Sequence, residues 1–324
     1  MIELTYAQAI GKTLDEEMER DDNVILMGED VGFVGGNFKT SVGLLEKYGT
    51  WRVKDSPISE LGIAGMGVGM ALAGIRPVIE LMYSDFVLLA ADQIINQAAK
   101  IRYMSGGQAI VPVTYRIPLG AGRSSAAQHS QSMQAMCSHF PGLIVVVPSN
   151  AGEAMGLLKY AIRNDNPVVF FEPKMEYNKK FMVEENTPPI EFGKARIARE
   201  GSDITIVATS NMVMKSEAAA KRLEAEEIDC EIIDVRTLVP LDRETIIQSV
   251  KKTGKMIVAD ESYTFCGVCD GIIADLLEDI FYYLDAPCGA VDTPKVPIPY
   301  SPALEYHILP SEDKVYEKVK SYFL

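Results

Sequence analysis

Short apolar runs alternate with amphipathic, helix-length segments along most of the chain. Runs such as Val24–Met27 and Val168–Phe171 carry no polar alternation, which is typical of strands buried on both faces of a parallel sheet. Segments such as Ala151–Arg163 have the helical period and supply the crossovers that parallel strands need. The sequence therefore predicts an α/β fold in which helices cover both faces of a mostly parallel sheet.

The alternation lapses once, in the charged, proline-bearing segment between Glu172 and Gly193. A chain of 324 residues is long enough for two domains of roughly 100 to 200 residues each. We therefore predict a first domain at 1–175, a linker at 176–192 and a smaller α/β domain at 193–324.

Thr5 and Gln8 have the spacing of a capping box and predict the start of the first helix.

Composition narrows the classes of function. Asp and Glu number 45 against 31 Lys and Arg, a formal net charge of −14, which disfavours binding to nucleic acid or to an anionic membrane surface. No apolar stretch reaches the roughly 20 residues that a membrane span needs, and the N-terminus resembles neither a signal nor a transit peptide. Five scattered cysteines do not form a disulfide pattern. We expect a cytoplasmic protein with reduced thiols.

Common cofactor motifs are absent or incomplete. The glycines between Gly62 and Gly74 do not form a GxGxxG fingerprint, and no GxxxxGK[ST] loop occurs. These small residues predict instead a helix that packs closely against a neighbouring helix, in the same subunit or in another one. Cys266 and Cys269 form a single CxxC pair, which is half of a tetrahedral zinc site, and no histidine lies at ligand spacing to it. We expect both thiols to be structural.

Two polar residues lie where predicted strands end. Glu60 has apolar neighbours at a strand-to-helix turn, where it is either a partly desolvated catalytic carboxyl or a helix-start carboxylate stabilised by the helix dipole. His129 lies in a long small-residue loop at the sheet edge where α/β enzymes bind ligands. Its imidazole suits acid, base or oxyanion chemistry, and a structural role also fits the pattern.

Several sequence strings, taken together, resemble one family. They are GEDVG at 28–32, DSPISE at 55–60, DQIINQAAK at 92–100, AQHSQ at 127–131, PGL at 141–143, RTL at 236–238 and PLD at 240–242. In this combination, the chain resembles the beta subunit of the thiamine diphosphate-dependent first component of 2-oxo acid dehydrogenase complexes. The resemblance implies a transketolase-like pyrimidine-binding domain followed by a transketolase C-terminal-type α/β domain.

The resemblance also implies a cofactor site shared between chains. Two alpha and two beta subunits form a heterotetramer in this family, and the beta C-terminal domain binds the subunit-binding domain of the lipoyl acyltransferase. The glycine-aspartate-glycine motif with a downstream asparagine, which holds Mg²⁺ and the diphosphate in the superfamily, does not occur here. We therefore expect Mg²⁺ and the diphosphate on an alpha subunit, and an oxidoreductase that is active only with that subunit. The acidic net charge suits a basic partner domain.

The resemblance assigns roles to individual positions. Glu60 matches the glutamate that hydrogen-bonds the aminopyrimidine ring of thiamine diphosphate, and Met82 and Phe86 match apolar positions around that ring. Glu29 matches an acidic position near the cofactor, either in a proton path or as a loop-structuring residue. His129 matches a histidine that faces the substrate and the incoming lipoyl arm.

Some relatives also bind potassium. The matching positions here are Val113, Ala161 and Ile162 through carbonyl oxygens, and Asn164 and Asn166 through side chains. Those relatives carry aspartate at the position of Asn164, and the loss of a negative ligand weighs against the ion.

The substrate is less directly indicated. Segments 80–86 and 297–305 are similar to acetoin dehydrogenase beta subunits, 170–174 is similar to the branched-chain enzyme, and the loop through His129 resembles both the acetoin and the pyruvate enzymes. We predict pyruvate or a close 2-oxo acid, decarboxylated with reductive acylation of a lipoyl group. Acetoin and branched-chain 2-oxo acids are the alternatives. A noncatalytic docking subunit is another, and it would need neither Glu60 nor His129.

Overall fold

A seven-stranded sheet forms the first of two α/β units in the computed structural model, which describes residues 1–324. Its strands are β2 Val24–Gly28, β3 Val53–Asp55, β4 Arg76–Glu80, β5 Thr114–Leu119, β6 Ile144–Val146, β7 Val168–Pro173 and β12 Thr237–Val239. They lie in the order β12-β6-β7-β5-β4-β2-β3. Every neighbouring pair is parallel except β12 with β6.

Helices cover both faces of this sheet. They are α1 Tyr6–Arg20, α2 Leu44–Arg52, α3 Glu60–Leu72, α4 Val87–Ala91, α5 Ala99–Met104, α6 Gln134–His139 and α7 Ala151–Arg163. Successive residues of β4, Val78 and Ile79, belong to different hydrophobic clusters, one on each face. Residues 84–104 form one continuous helical segment, in which π-helical turns at Asp92–Ala98 join α4 to α5.

The second unit is a five-stranded sheet with its own helices. The strands are β9 Arg196–Arg199, β10 Ile204–Ala208, β11 Cys230–Asp234, β13 Met256–Tyr263 and β14 Gly289–Thr293, and the helices are α8 Met212–Glu224, α9 Arg243–Thr253, α10 Val268–Ile280, α11 Pro302–Ile308 and α12 Glu312–Lys320. The strand order is β14-β13-β10-β11-β9, with β9 antiparallel at the edge. The predicted two-unit α/β architecture is confirmed. None of the helices has the length and hydrophobicity of a membrane-spanning segment.

The segment predicted as a linker contains a strand. β8 Lys180–Val183 pairs antiparallel with β1 Ile2–Thr5. The sequence did not indicate this strand, because it pairs with the distant N-terminus and has no local period of its own. The linker at 176–192 stays a prediction. The predicted capping box is confirmed: Thr5 Oγ1 accepts from Gln8 N at 3.1 Å, and Gln8 Oε1 accepts from Thr5 N at 2.8 Å.

The two units are joined by main-chain and side-chain contacts. β12 belongs to the C-terminal part of the chain but pairs with β6 of the first sheet. Next to it, the guanidinium of Arg236 donates to both carboxylate oxygens of Glu153 on α7, at 2.6 and 2.9 Å. Gln134 Nε2 donates to the buried Asp260 at 3.0 Å. The first sheet is therefore completed and braced by residues of the second unit.

A buried ion network lies at the centre of the first sheet. Arg116 on β5 donates to Glu80 on β4 at 2.8 Å and to both oxygens of Glu172 on β7 at 2.7 and 2.9 Å. The hydroxyls of Tyr177 and Thr40 donate to Glu172 and Glu80 at 2.6 and 3.1 Å. Burial raises the pKa of Glu80, and the guanidinium opposes that rise. One cation thus compensates two carboxylates that would otherwise be costly to bury.

Candidate functional site

The predicted site residues follow four neighbouring strands of the first sheet. Glu29 comes directly after β2, Glu60 begins α3 shortly after β3, Met82 follows β4, and His129 lies in the loop after β5. Strands β3, β2, β4 and β5 are adjacent and parallel, so their carboxyl ends form one edge. That edge is where open α/β sheets bind ligands.

Glu29 and Glu60 form an acidic pair at this edge. They are only 5% and 6% exposed. Burial raises the pKa of Glu29, and the negative charge of Glu60 raises it further. Oε1 of Glu29 is buried without a hydrogen-bond partner. The side-chain cap of α3 is made by Ser59, which accepts from Gly62 N at 3.3 Å, so Glu60 is not required for that bond.

The loop that carries Glu29 is fixed by a neighbouring strand. Asp55, the last residue of β3, accepts from the main-chain N–H groups of Gly32 at 2.7 Å and Phe33 at 3.0 Å. The hydroxyl of Ser41 donates to the carbonyl of Val31 at 2.6 Å. These hydrogen bonds fix the loop after β2 against the end of β3, and they therefore help to position the acidic pair.

His129 lies in an aromatic cluster. Its ring centroid is 4.8 Å from that of Tyr83 and 5.4 Å from that of Phe86, edge to face in both cases. Asn37 Nδ2 donates to the Tyr83 hydroxyl at 3.2 Å, which connects the cluster to the loop after β2. The structure therefore brings Phe86 and His129 together, and it adds Tyr83, which the sequence analysis did not single out.

Lys174 is a second residue that the sequence analysis did not assign to the site. It is 1% exposed, its Nζ donates to the main-chain oxygen of His129 at 2.6 Å, and it lies 5.5 Å from the centroid of the Tyr83 ring. Burial lowers its pKa to about 8, while the charges of Asp85 and Glu261 oppose that change. The signal that could have found it is a lysine directly after the buried strand β7.

Comparisons with known proteins identify the family. The transketolase pyrimidine-binding domain matches residues 2–180, and the transketolase C-terminal domain matches residues 193–315. The pyruvate dehydrogenase E1 component subunit beta of Rickettsia felis is 47% identical over 319 residues, which cover 98% of each chain. Its mitochondrial counterpart in Caenorhabditis elegans is 46% identical over 322 residues, covering 98% of this chain and 92% of the relative. This chain belongs to the E1 beta subunit family.

A solved structure supports the fold of this E1 beta family member. A split-gene transketolase, described as an inactive beta4 tetramer, superimposes with a TM-score of 0.81 over 98% of both chains at 24% identity. The predicted transketolase-like fold is therefore confirmed.

The sheet edge of this E1 beta family member fits the pyrimidine half of thiamine diphosphate. A buried carboxyl pair with an orphaned oxygen can accept hydrogen bonds from a ligand, and half-buried Met82 and Phe86 offer apolar surface nearby. No group of three or more His, Cys, Asp or Glu side chains is placed to hold a metal ion. The chain therefore presents features suited to the ring system of the cofactor.

The predicted potassium ligands are already engaged by protein donors. Arg76 Nη1 donates to the carbonyls of Ile162 and Asn164 at 3.1 Å each, and Arg102 Nη1 donates to Asn166 Oδ1 at 2.5 Å. Asn164 Oδ1 accepts from Asn166 N at 2.9 Å.

The two remaining ligand positions are engaged as well. The carbonyls of Val113 and Ala161 accept from Val168 N at 2.9 Å and Asn164 N at 3.1 Å. Two guanidinium groups therefore supply positive charge where the cation was predicted. The positive charge of these guanidinium groups weighs against a bound potassium ion, which stays a prediction.

The CxxC pair is divided between surface and core. Cys266 is exposed, Cys269 is buried, and all five cysteines are free. The thiol of Cys269 donates to the carbonyl of Val258 at 3.4 Å. The expected structural role of Cys269 agrees with this packing.

Proposed function

We propose that this chain is the beta subunit of a pyruvate dehydrogenase, which decarboxylates pyruvate and transfers the acetyl group to a lipoyl acceptor. The observation that carries the proposal is a buried acidic pair and a histidine at one sheet edge, in a chain 47% identical to relatives named for that activity. These named relatives favour pyruvate over acetoin and branched-chain 2-oxo acids. A docking-only role would not need the acidic pair.

Thiamine diphosphate, when bound, supplies the carbanion chemistry that cleaves the bond beside the 2-oxo group. Glu60 hydrogen-bonds the aminopyrimidine ring and exchanges a proton at its ring nitrogen. Low exposure strengthens that hydrogen bond, because few water molecules compete for it. Burial and the negative charge of Glu60 raise the pKa of Glu29. Glu29 therefore holds a proton more readily than an exposed carboxyl does. Met82 and Phe86 exclude water from the ring.

His129 acts on the substrate side of the site. The rings of Tyr83 and Phe86 fix its plane, and the ammonium of Lys174 fixes its main-chain oxygen. An imidazole held in this way can stabilise the substrate carboxylate or give a proton to the lipoyl sulfur. We assign it to acetyl transfer.

An alpha subunit completes the site in this proposal. Support comes from the absence of a diphosphate-binding motif in the sequence and from apolar side chains on α3 and α4, two helices in contact. Leu61, Met66, Leu72, Leu88 and Leu89 are all exposed there. Exposed apolar surface of this kind marks subunit interfaces. Mg²⁺ binds on the alpha side, and the C-terminal unit binds the lipoyl acyltransferase. A cytoplasmic location stays a prediction.

The test is an assay of the coexpressed alpha–beta complex with a lipoyl domain as acceptor. Pyruvate, a branched-chain 2-oxo acid and acetoin are compared at equal concentration, and a complex carrying Glu60→Gln is the control for background reaction. We expect the highest kcat/KM with pyruvate. A higher value with acetoin or with a branched-chain acid would overturn the substrate assignment.

A further inference from the structure

The loop that carries His129 has a strained backbone. Gly120 and Gly122 have φ of +92° and +96°, which glycine adopts freely. Ser124 and Ala126 have φ of +53° and +60°, in the left-handed region that residues with a Cβ atom rarely occupy. Such conformations persist only where the surrounding structure imposes them. Some contact must therefore hold this loop.

Glu305 makes that contact. It lies on α11 in the second unit and is 1% exposed. One carboxylate oxygen accepts from Gly122 N at 2.7 Å, and the other accepts from Ser124 N at 2.9 Å and from the Ser124 hydroxyl at 3.4 Å. These are charge-assisted hydrogen bonds, which are stronger than neutral ones. The carboxylate thus holds the loop at one of its two strained residues.

The far end of the loop is held from the first unit. Lys174 donates to the His129 carbonyl at 2.6 Å, and Gln131 Nε2 donates to Asp85 at 3.0 Å. Between Ser124 and His129 the main-chain N–H of His129 donates to the Ala126 carbonyl at 3.4 Å. A change in the anchored conformation at Ser124 would therefore be transmitted through a short strained stretch to the imidazole.

We propose that Glu305 is a positioning residue for His129, holding the strained 120–131 loop so that the imidazole stays between Tyr83 and Phe86. The site would then depend on a residue of the second unit that touches neither substrate nor cofactor. This inference rests on the role proposed above for His129 in acetyl transfer.

The first measurement is hydrogen–deuterium exchange of the loop in the assembled alpha–beta complex. In Glu305→Gln, we expect peptides covering 120–131 to exchange about tenfold faster, since losing a hydrogen bond to a charged group has about that effect on an opening equilibrium. The control is Glu312→Gln, the same change at an exposed position on α12. Unchanged loop exchange in Glu305→Gln would overturn the proposal.

The second measurement separates positioning from general destabilisation. We expect Glu305→Gln to lower acetyl transfer to the lipoyl domain about tenfold and to affect deuterium exchange at the thiazolium carbon far less, the same pattern that we expect from His129→Ala. Adding Ala126→Gly should restore part of the lost transfer, because glycine adopts the left-handed conformation without strain. Loss of both activities in proportion, with no recovery from Ala126→Gly, would contradict the proposal.

Two further comparisons keep the outcomes distinct. If His129→Ala leaves acetyl transfer intact, the proposed role of His129 fails, whatever Glu305→Gln does. If His129→Ala abolishes transfer but Glu305→Gln changes neither transfer nor loop exchange, only the positioning role fails.

Should Glu305→Gln not assemble, Glu305→Asp keeps the charge on a shorter side chain, and we expect intermediate loop exchange and transfer. Wild-type values in an assembled Glu305→Asp complex would overturn the requirement for the glutamate.

Discussion

Glu29 and Glu60 lie close enough for the charge of one to act on the other: burial raises the pKa of Glu29, and the carboxylate of Glu60 raises it further. The two residues follow β2 and β3, adjacent strands of the sheet. Loss of the negative charge at Glu60 would therefore weaken proton binding at Glu29. This coupling links the proposed cofactor contact at Glu60 to a second acidic group.

Replacing Glu60 tests that contact. We expect Glu60→Gln to lower turnover on the order of 10²- to 10⁴-fold with assembly intact, because an amide cannot exchange the required proton. The pKa of Glu29 should fall as well, since a neighbouring negative charge is removed. Deuterium exchange at the thiazolium carbon and overall turnover are the measurements. Glu46→Gln, at an exposed position of α2, is the matched control. Normal turnover in an assembled Glu60→Gln complex would rule out the assignment.

Removing the imidazole of His129 should affect a later step. We expect His129→Ala to reduce acetyl transfer to the lipoyl domain far more than it reduces thiazolium exchange, because the residue is placed on the substrate side. His139→Ala, an exposed histidine on α6, is the control and should change neither. Equal losses in exchange and in transfer would show that His129 has another role.

The beta chain alone should bind thiamine diphosphate weakly. The chain carries no motif for the diphosphate, so the cofactor and the alpha subunit should each promote binding of the other. Calorimetry with the cofactor and Mg²⁺, before and after addition of alpha, measures this linkage. Fluorescence of the single tryptophan, the exposed Trp51, is a secondary probe. Tight, Mg²⁺-dependent binding by beta alone would refute a divided site.

The buried ion network should be sensitive to loss of its cation. Arg116→Met leaves Glu80 and Glu172 buried without a counter-charge, and we expect a loss of about 3–5 kcal/mol in the free energy of unfolding. Urea unfolding of the complex measures it. Arg222→Met removes an arginine from an exposed pair with Asp313 and should change little. A similar effect of both substitutions would argue against a stabilising network.

Lys174 should make stability depend on pH in the alkaline range. Burial lowers its pKa from 10.5 to about 8 in the folded chain. Between those values the unfolded chain holds a proton that the folded chain has released, so this residue makes folding more favourable as pH rises. We therefore expect the difference in melting temperature, wild type minus Lys174→Met, to increase from pH 8 to pH 10. Lys221→Met, at an exposed position of α8, should show no such trend. A constant difference for Lys174→Met would contradict the prediction.

The alternation of buried strands and helices was sufficient to predict the parallel central strands of both sheets, because these strands read as apolar runs bounded by turn residues. The segment predicted as helical at Ala151–Arg163 has the observed bounds of α7. The strands β1, β8, β9, β12 and β14 were not predicted. Each pairs with a partner distant in sequence, and a local pattern carries no information about such a partner.

The site was predictable in position but not in its supports. Glu29, Glu60 and His129 lie after strands that parallel pairing brings to one edge, so their convergence follows from the sheet. Lys174 and Glu305 act through main-chain atoms of the His129 loop. The Lys174 contact joins the segments that follow β7 and β5, whereas the Glu305 contact depends on how the two units pack. No spacing in the sequence indicates a partner 183 positions away.

Strand β12 has a consequence for how the polypeptide could be divided. Three residues of the second unit supply the outermost strand of the first sheet. A cut between residues 184 and 192 would leave β6 as a bare edge, with unpaired main-chain groups available to any other strand. The two fragments would then have a template for recombining with each other, and in its absence for aggregating. The chain is thus arranged for fragment complementation, not for hinge motion between independent halves.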